Sequence, residues 1–209
     1  MRISTSLVGL ASAALLAACS AIDAVHTATV FNDLNSAGVI SGPATSPDQI
    51  ALRTGTASYT GLGVVTASDG SAATAYLGDA TIRVDFKSST VSGDIAMYRA
   101  KGGLDPATDP QAFFDMVQAD PEGFLLSMGA ASGTATLSNG SVAGAGFTAT
   151  ASSGNLTYDG TTVTVTGGTV TGEFTGTGAN GVRSLGSSVT GTVNGVAADQ
   201  IGLYFAAAE

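Results

Sequence analysis

The chain has 209 residues, a formal charge of −9 at pH 7, and 11 % charged against 44 % hydrophobic residues. Low charge excludes a disordered acidic tail. With 7 basic and 16 acidic side chains, the balance also excludes nucleic-acid binding by phosphate neutralisation and electrostatic adhesion to anionic lipid.

The first segment carries Arg2, then an apolar run, then Leu16-Ala17-Ala18-Cys19. One positive charge, a short hydrophobic stretch and small residues before a cut describe a bacterial signal peptide. Ile3–Leu16 is too short to span a bilayer, which takes about 20 apolar residues. An ordinary secretory signal needs no cysteine, yet the only cysteine of the chain stands at this junction. The stretch resembles a lipoprotein lipobox, with residues 1–18 removed and Cys19 carrying the acyl chains. Each buried methylene contributes about 0.8 kcal/mol, and stable anchoring takes two or more chains. The partner expected at this end is therefore the lipid bilayer, through acylated Cys19. Ser20 agrees with outer-membrane sorting. Removal of the signal takes away Arg2 and no acid, so the formal charge moves from −9 to −10. With Cys19 acylated, no thiol remains for disulfides, metal ligation or redox work.

Residues 19–52 show little periodicity and carry Gly42-Pro43, Ser46-Pro47 and the lone His26. They read as a flexible tether, with Thr27–Phe31 a short strand. Residues 53–209 read as one all-β domain. Gly reaches 29 residues, about twice the usual share, and with Thr, Ser, Ala and Val it indicates many strands and many turns. Ala80–Lys87 alternates strictly, with Ile82, Val84 and Phe86 on one face and Thr81, Arg83, Asp85 and Lys87 on the other. A period of two places one face on a core and the other in water. Ser88-Ser89 turns the chain, and Val91–Tyr98 alternates again, which predicts a hairpin. The spacing next predicts one helix: Asp109 as cap, Pro110 at the first position, and Gln111–Gln118 free of breakers until Pro121. Phe113, Met116 and Val117 share a face, and the helix is expected to cover an open end or edge of the sheet. Asn139-Gly140 and Asp159-Gly160 read as two-residue hairpin turns.

A short element recurs as Thr90-Val91-Ser92-Gly93, Ser141-Val142-Ala143-Gly144, Thr169-Val170-Thr171-Gly172 and Ser188-Val189-Thr190-Gly191. Its irregular spacing excludes a solenoid. Glycine inside a strand marks a sharp bend or a close approach of another backbone. About eight strands between Thr54 and Phe205 suffice to close a barrel, which removes the edges a flat sheet leaves exposed. A β-sandwich is the alternative for the same strands. The expected fold is thus all-β: a single antiparallel, roughly eight-stranded barrel with one short helix in a long loop, after a lipidated flexible tether.

Three stretches resemble the β-barrel domain of the transferrin-binding protein B family of surface lipoproteins. Thr54–Gly61 resembles its first barrel strand. Ala80–Ile95, with Val84-Asp85-Phe86 and Thr90-Val91-Ser92-Gly93, resembles the next hairpin. Val189–Gly195 followed by Ala197–Phe205 resembles the closing pair, although Val193-Asn194-Gly195-Val196 lacks the family's aromatic-Gly-Pro turn. The resemblance implies an eight-stranded barrel held on the outer membrane by lipid and displayed at the cell surface by a dedicated translocator. It also implies an extracellular protein or haem-protein ligand. The ligand-contacting loops of the full receptor have no positions here to carry over, and fold alone does not assign a ligand.

Chemistry is sparse. A nucleophile needs a base beside it, and His26 lies in the tether, so no catalytic residue and no enzyme activity are expected. Gly176–Gly181 matches a dinucleotide fingerprint in letters only, since strand rather than helix follows it. Asp115, Asp120 and Glu122 fit no calcium-loop spacing, so neither a metal nor a cofactor is expected. Tyrosine can ligate haem iron, but five tyrosines spread over strands read as barrel core or rim. The Arg99–Glu122 insertion is the longest excursion, and loops are where binding concentrates. Tyr98, Arg99, Lys101 and Phe113 are the candidate binding residues. A periplasm-facing structural or assembly lipoprotein is the alternative function.

Overall fold

The computed structural model describes residues 7–209, with side chains from Ala21 onward except those of Pro121 and Glu122. The start of the signal segment and the Cys19 thiol lie outside the described part. In chain order the elements are α1 (Leu7–Ser36), α2 (Pro47–Ala51), β1 (Thr56–Ser68), β2 (Ala73–Asp85), β3 (Thr90–Leu104), α3 (Pro110–Ala119), α4 (Pro121–Leu126) and β4 (Gly129–Ala130). Then follow β5 (Thr134–Ala143), β6 (Gly146–Ser153), β7 (Leu156–Tyr158), β8 (Thr161–Thr175), β9 (Gly181–Val193), β10 (Val196–Ala197) and β11 (Gln200–Ala208).

Eight of these strands form a closed antiparallel circuit, β1-β2-β3-β5-β6-β8-β9-β11 and back to β1. The short β4, β7 and β10 extend β3, β8 and β9 locally. The circuit closes where Thr60–Ser68 pair with Ala208–Gln200. The predicted barrel stands, and the sandwich alternative falls.

The predicted hairpin is β2–β3, with Asp85 opposite Thr90. Asp159-Gly160 is a tight turn, both residues at positive φ (46° and 77°), and Tyr158 pairs with Thr161. Gly176–Ala179 turns the chain from β8 to β9, as its strand context requires.

Several expectations are corrected. Asn139-Gly140 does not turn the chain. It lies inside β5 as a bulge against β3 and β6, and the turn falls at Gly144-Ala145. Thr27–Phe31 is helix, not strand. Ala24, Thr27, Phe31 and Leu34, at helical spacing, are buried, so the region read as flexible tether is packed against the barrel. The long loop holds two helices rather than one: Pro121 ends α3 but suits the first position of α4, where Asp120 caps by accepting from the Gly123 amide at 3.1 Å. Finally, α3 covers neither an end nor an edge. It packs on the outer wall, where Phe113, Phe114 and Val117 sit in one apolar cluster with Leu62, Val64, Leu77 and Ala206.

The barrel interior is solid. Phe174 lies at its centre, with ring centroids 5.5 Å from Phe86, 5.7 Å from Phe147 and 6.5 Å from Tyr59. Phe147 stacks on Phe205 at 6.0 Å. Gly172 makes this possible, because a Cβ there would run into the Phe147 ring. The helix α2 adds Ile50 to the same core, and Arg53 lies over Phe86, 5.1 Å from the ring centroid, while pairing with Glu209 at 2.6 Å. Truncating a fully buried aromatic leaves a cavity, so Phe174→Ala should lower unfolding free energy by about 3–5 kcal/mol. Urea denaturation followed by tyrosine fluorescence checks this; a midpoint unchanged from the parent would show that the interior is not packed around Phe174.

Candidate functional site

The outer wall explains a departure from simple alternation. Residues of β1 alternate up to Gly61, but from Leu62 to Ser68 every residue is buried. Inward positions meet the barrel core; Leu62 and Val64 point outward and meet helices. Phe114 lies 6.2 Å from Phe31 and 4.8 Å from Tyr204, so α3 is clamped between α1 and β11. Phe113 meets Phe124 of α4 at 5.4 Å.

A bulge in β3 directs polar residues to α1. Leu77 pairs with Arg99 and Gly78 with Met97, which leaves Tyr98 without an opposite residue. Such an extra residue re-aims the side chains around it. The Tyr98 hydroxyl lies 2.7 Å from that of Thr27, and the Arg99 guanidinium 2.7 Å from the Asp23 carboxylate. His26 Nε2 lies 2.9 Å from Asp79 on β2. Three side-chain links thus join residues 23–27 of α1 to the wall.

The candidate binding residues therefore divide. Tyr98 and Arg99 come together, but against α1. Phe113 is fully buried in the outer-wall core. Lys101 is half-buried, with Nζ 3.5 Å from the Ser127 carbonyl at the end of α4. Their contacts in the structure are with the chain itself.

Tyr59, Tyr76, Tyr98 and Tyr204 are held in the neutral form. Burial pushes Tyr59 and Tyr76 up to about 12, and it raises Tyr98 and Tyr204 as well. Tyr59 donates to the Ala179 carbonyl at 2.8 Å and Tyr76 to that of Leu156 at 3.3 Å. A phenol that ligates iron must lose its proton, and burial acts in the opposite direction.

A concavity of about 590 Å³ opens between the start of α3 and the seam of β9 with β11. The two strands pair only where Gly181–Arg183 meet Ala208–Ala206. Beyond that, Ser184 and Ser187 hydroxyls accept from the amides of Phe205 and Leu203 at 3.0 and 2.8 Å, so side chains replace the ladder and the strands part. Pro110, Gln111, Gln200 and Tyr204 line the cleft with Leu185, which is 62 % exposed. Arg183 also lines it, but its charge is taken up within the chain. It bonds Glu173 through Nε at 2.8 Å and Nη2 at 2.6 Å, and the Val39 and Ile40 carbonyls through Nη1. The cleft thus offers amide, hydroxyl and apolar contacts. Among the described residues no group of three metal-ligating side chains occurs.

Sequence reading missed this cleft and α1. The signal for α1 was the 3-4-3 spacing of Ala24, Thr27, Phe31 and Leu34. That for the cleft was Leu185, an apolar residue among Ser and Gly with nothing to alternate against.

The geometry defines a class: a closed eight-stranded antiparallel barrel with helices on its outer wall and a cleft at one seam. No protein-family model and no curated protein matches the chain. Among solved structures it is similar to isotype 1 transferrin-binding protein B from serogroup B Neisseria meningitidis. Identity is 17 %, coverage 79 % of this chain and 27 % of that one, and the TM-score 0.43. It is also similar to a double mutant of the vaccine antigen transferrin-binding protein B from Haemophilus parasuis Hp5. There identity is 18 %, coverage 80 % and 28 %, and the TM-score 0.44. The chain spans little more than a quarter of the length of either protein.

Two outcomes follow from this geometry. Asp23→Ala leaves the buried Arg99 guanidinium unpaired. Because Asp23 is itself partly exposed, the cost should be about 1–3 kcal/mol. It should appear as faster amide exchange in residues 22–36 with β1 and β11 unchanged; uniform acceleration would contradict local docking. In alkali, the unfolded chain releases its phenolic protons near pH 10, while the fold holds those of Tyr59 and Tyr76 to about 12. Stability is therefore complete below about pH 10 and falls as pH rises toward 12. Urea midpoints across that range should drop less steeply for Tyr76→Phe than for the parent.

Proposed function

We propose that this chain is an outer-membrane lipoprotein, anchored through Cys19 and displayed at the cell surface, that binds a protein ligand without enzymatic chemistry. The observation that carries this reading is the solid barrel interior. Phe174, Phe147, Phe205, Tyr59 and Tyr76 fill the lumen, so a ligand is met on the outside. The cleft of about 590 Å³ on the outside borders the 99–122 insertion at Pro110 and Gln111. Small-molecule and peptide sites are concave, with a few polar groups to fix orientation, and the cleft has that make-up.

A protein ligand is favoured over haem. Burial holds the protons on the phenols of Tyr59, Tyr76, Tyr98 and Tyr204, and the cleft's arginine is already bonded to a carboxylate. A non-enzymatic role is supported by Ser184 and Ser187 of the cleft, whose hydroxyls brace β11, and by His26, which bonds Asp79 away from the cleft. The dedicated translocator implied by surface display belongs to the same proposal.

Protease treatment of intact cells, beside a lysed control, tests the placement. Digestion on intact cells is expected. Protection until lysis, with Cys19 acylated, would instead favour a periplasm-facing structural role. Leu185→Asp, at an exposed position, should reduce capture of a surface ligand at least about tenfold while leaving the melting temperature within 2–3 °C of the parent. Undiminished capture would move the contact surface away from the cleft.

A further inference from the structure

We infer that the Ile22–Val25 turn of α1, together with the end of α4, forms an apolar face that seats the barrel directly on the bilayer. This rests on the lipoprotein reading above and specifies how the barrel is held. A flexible tether would let the barrel swing free of the membrane. Only Ser20–Ile22 separate Cys19 from the first residue linked to the wall. The helix α1 runs through Cys19 as helix, and its link to the wall begins at Asp23. Four residues of helix span about 6 Å, so an acylated Cys19 holds this part of the wall within contact range of the lipid.

What lies there is apolar and uncovered. Ile22 and Val25 are each 67 % exposed, and Leu126 is 47 % exposed. Val25 and Leu126 line a shallow groove of about 360 Å³ with Ala21, Ala24, Ala28 and Thr29. No charged side chain lines it among the described residues. The character of the exposed stripe changes with distance from Cys19: Ile22 and Val25 come first, then Thr29 and Asn32. Along this stripe only the residues nearest the anchor are apolar. The one charge at that end of α1, Asp23, is paired with Arg99. Lys101, beside Ser127, places an ammonium next to Leu126, where a long side chain can reach lipid headgroups. A chain with formal charge −9 gains nothing from anionic lipid, so apolar contact is the means by which it can rest there.

The test uses the acylated full-length lipoprotein in vesicles of phosphatidylethanolamine and phosphatidylglycerol. Because Cys19 is the only cysteine and is blocked by lipid, a single introduced thiol takes an environment-sensitive dye uniquely. Dyes on Leu126→Cys and Val25→Cys should be quenched by spin-labelled lipid about threefold or more above a dye on Thr171→Cys, which is exposed on β8. Equal quenching at all three positions, with acylation confirmed by mass spectrometry, would overturn seating. Absence of acylation would instead fail the lipoprotein reading itself. Ile22→Asp combined with Leu126→Asp changes only exposed positions. With the dye on Val25→Cys, this pair should bring quenching to the Thr171→Cys level. A ratio that survives the pair would overturn the assignment to this face, as would protection of the dyes by self-association in detergent without lipid quenching.

Discussion

Residues Thr60–Ser68 of β1 lie in antiparallel register with Ala208–Gln200 of β11, so the first and last barrel strands close the sheet on each other. Every other feature depends on that contact. An open sheet of Gly, Thr and Ala would leave two unpaired edges, which recruit other chains. Closure also defines an inside small enough for side chains to fill, as eight strands allow. Joining segments so distant in sequence carries a loop-closure cost that local hairpins do not. The seam between β9 and β11 shows how close the closure runs to failure. Ladder pairing lasts for three residue pairs, and then serine hydroxyls substitute for carbonyls.

A filled interior decides where function resides. Larger barrels and lipocalin-like ones keep a cavity for a ligand; here aromatic rings occupy it and α2 adds a further apolar side chain. The same strands are then buried a second time on their outer faces. Leu62, Val64, Leu77 and Ala206 turn away from the lumen and meet α1, α3 and α4. A barrel wall covered by helices over one sector divides the surface into a helical side near the chain's start and a bare side of Thr and Ser. The cleft lies at the border between them.

Much of the barrel was legible in the sequence because its signals were local. Period-two alternation marked β2 and β3, and Asp109-Pro110 marked the start of α3. Two Asx-Gly pairs show the limit of such signals. In Asp159-Gly160 both residues take positive φ, 46° and 77°, and the chain reverses. In Asn139-Gly140 only Asn139 does, at 51°, and the strand continues as a bulge because β3 and β6 both hold it. The dipeptide permits either outcome, and partners distant in sequence choose. The helix α1 was hidden for a related reason. Its buried face is Ala24, Thr27, Phe31 and Leu34, in which only two residues are strongly apolar, and its polar links reach partners 53 to 76 positions away. The candidate residues Tyr98 and Arg99 were singled out for their chemistry, and the bulge that turns them onto α1 leaves no trace in alternation.

The distribution of positive charge ties these threads together. The chain has 7 basic residues, and Arg2 lies outside the described part. Of the rest, Arg53, Arg99 and Arg183 each bind a carboxylate within the chain. Each joins a segment outside the barrel proper to the wall or closes the wall's end: Arg99 holds α1, Arg183 holds Val39 and Ile40, and Arg53 holds the C-terminal Glu209. Arginine suits this work because its planar fork serves several acceptors at once. Spending three of the four described guanidinium groups internally leaves unpaired acids in excess over free cations among the described residues. Such a surface repels anionic lipid and polyanions and favours partners with basic or neutral faces. What remains for attraction to a bilayer is apolar contact, and what remains for recognition in the cleft is hydrogen bonding and Leu185. The scarcity of free cations thus separates the face proposed to meet lipid from the cleft proposed to meet a ligand.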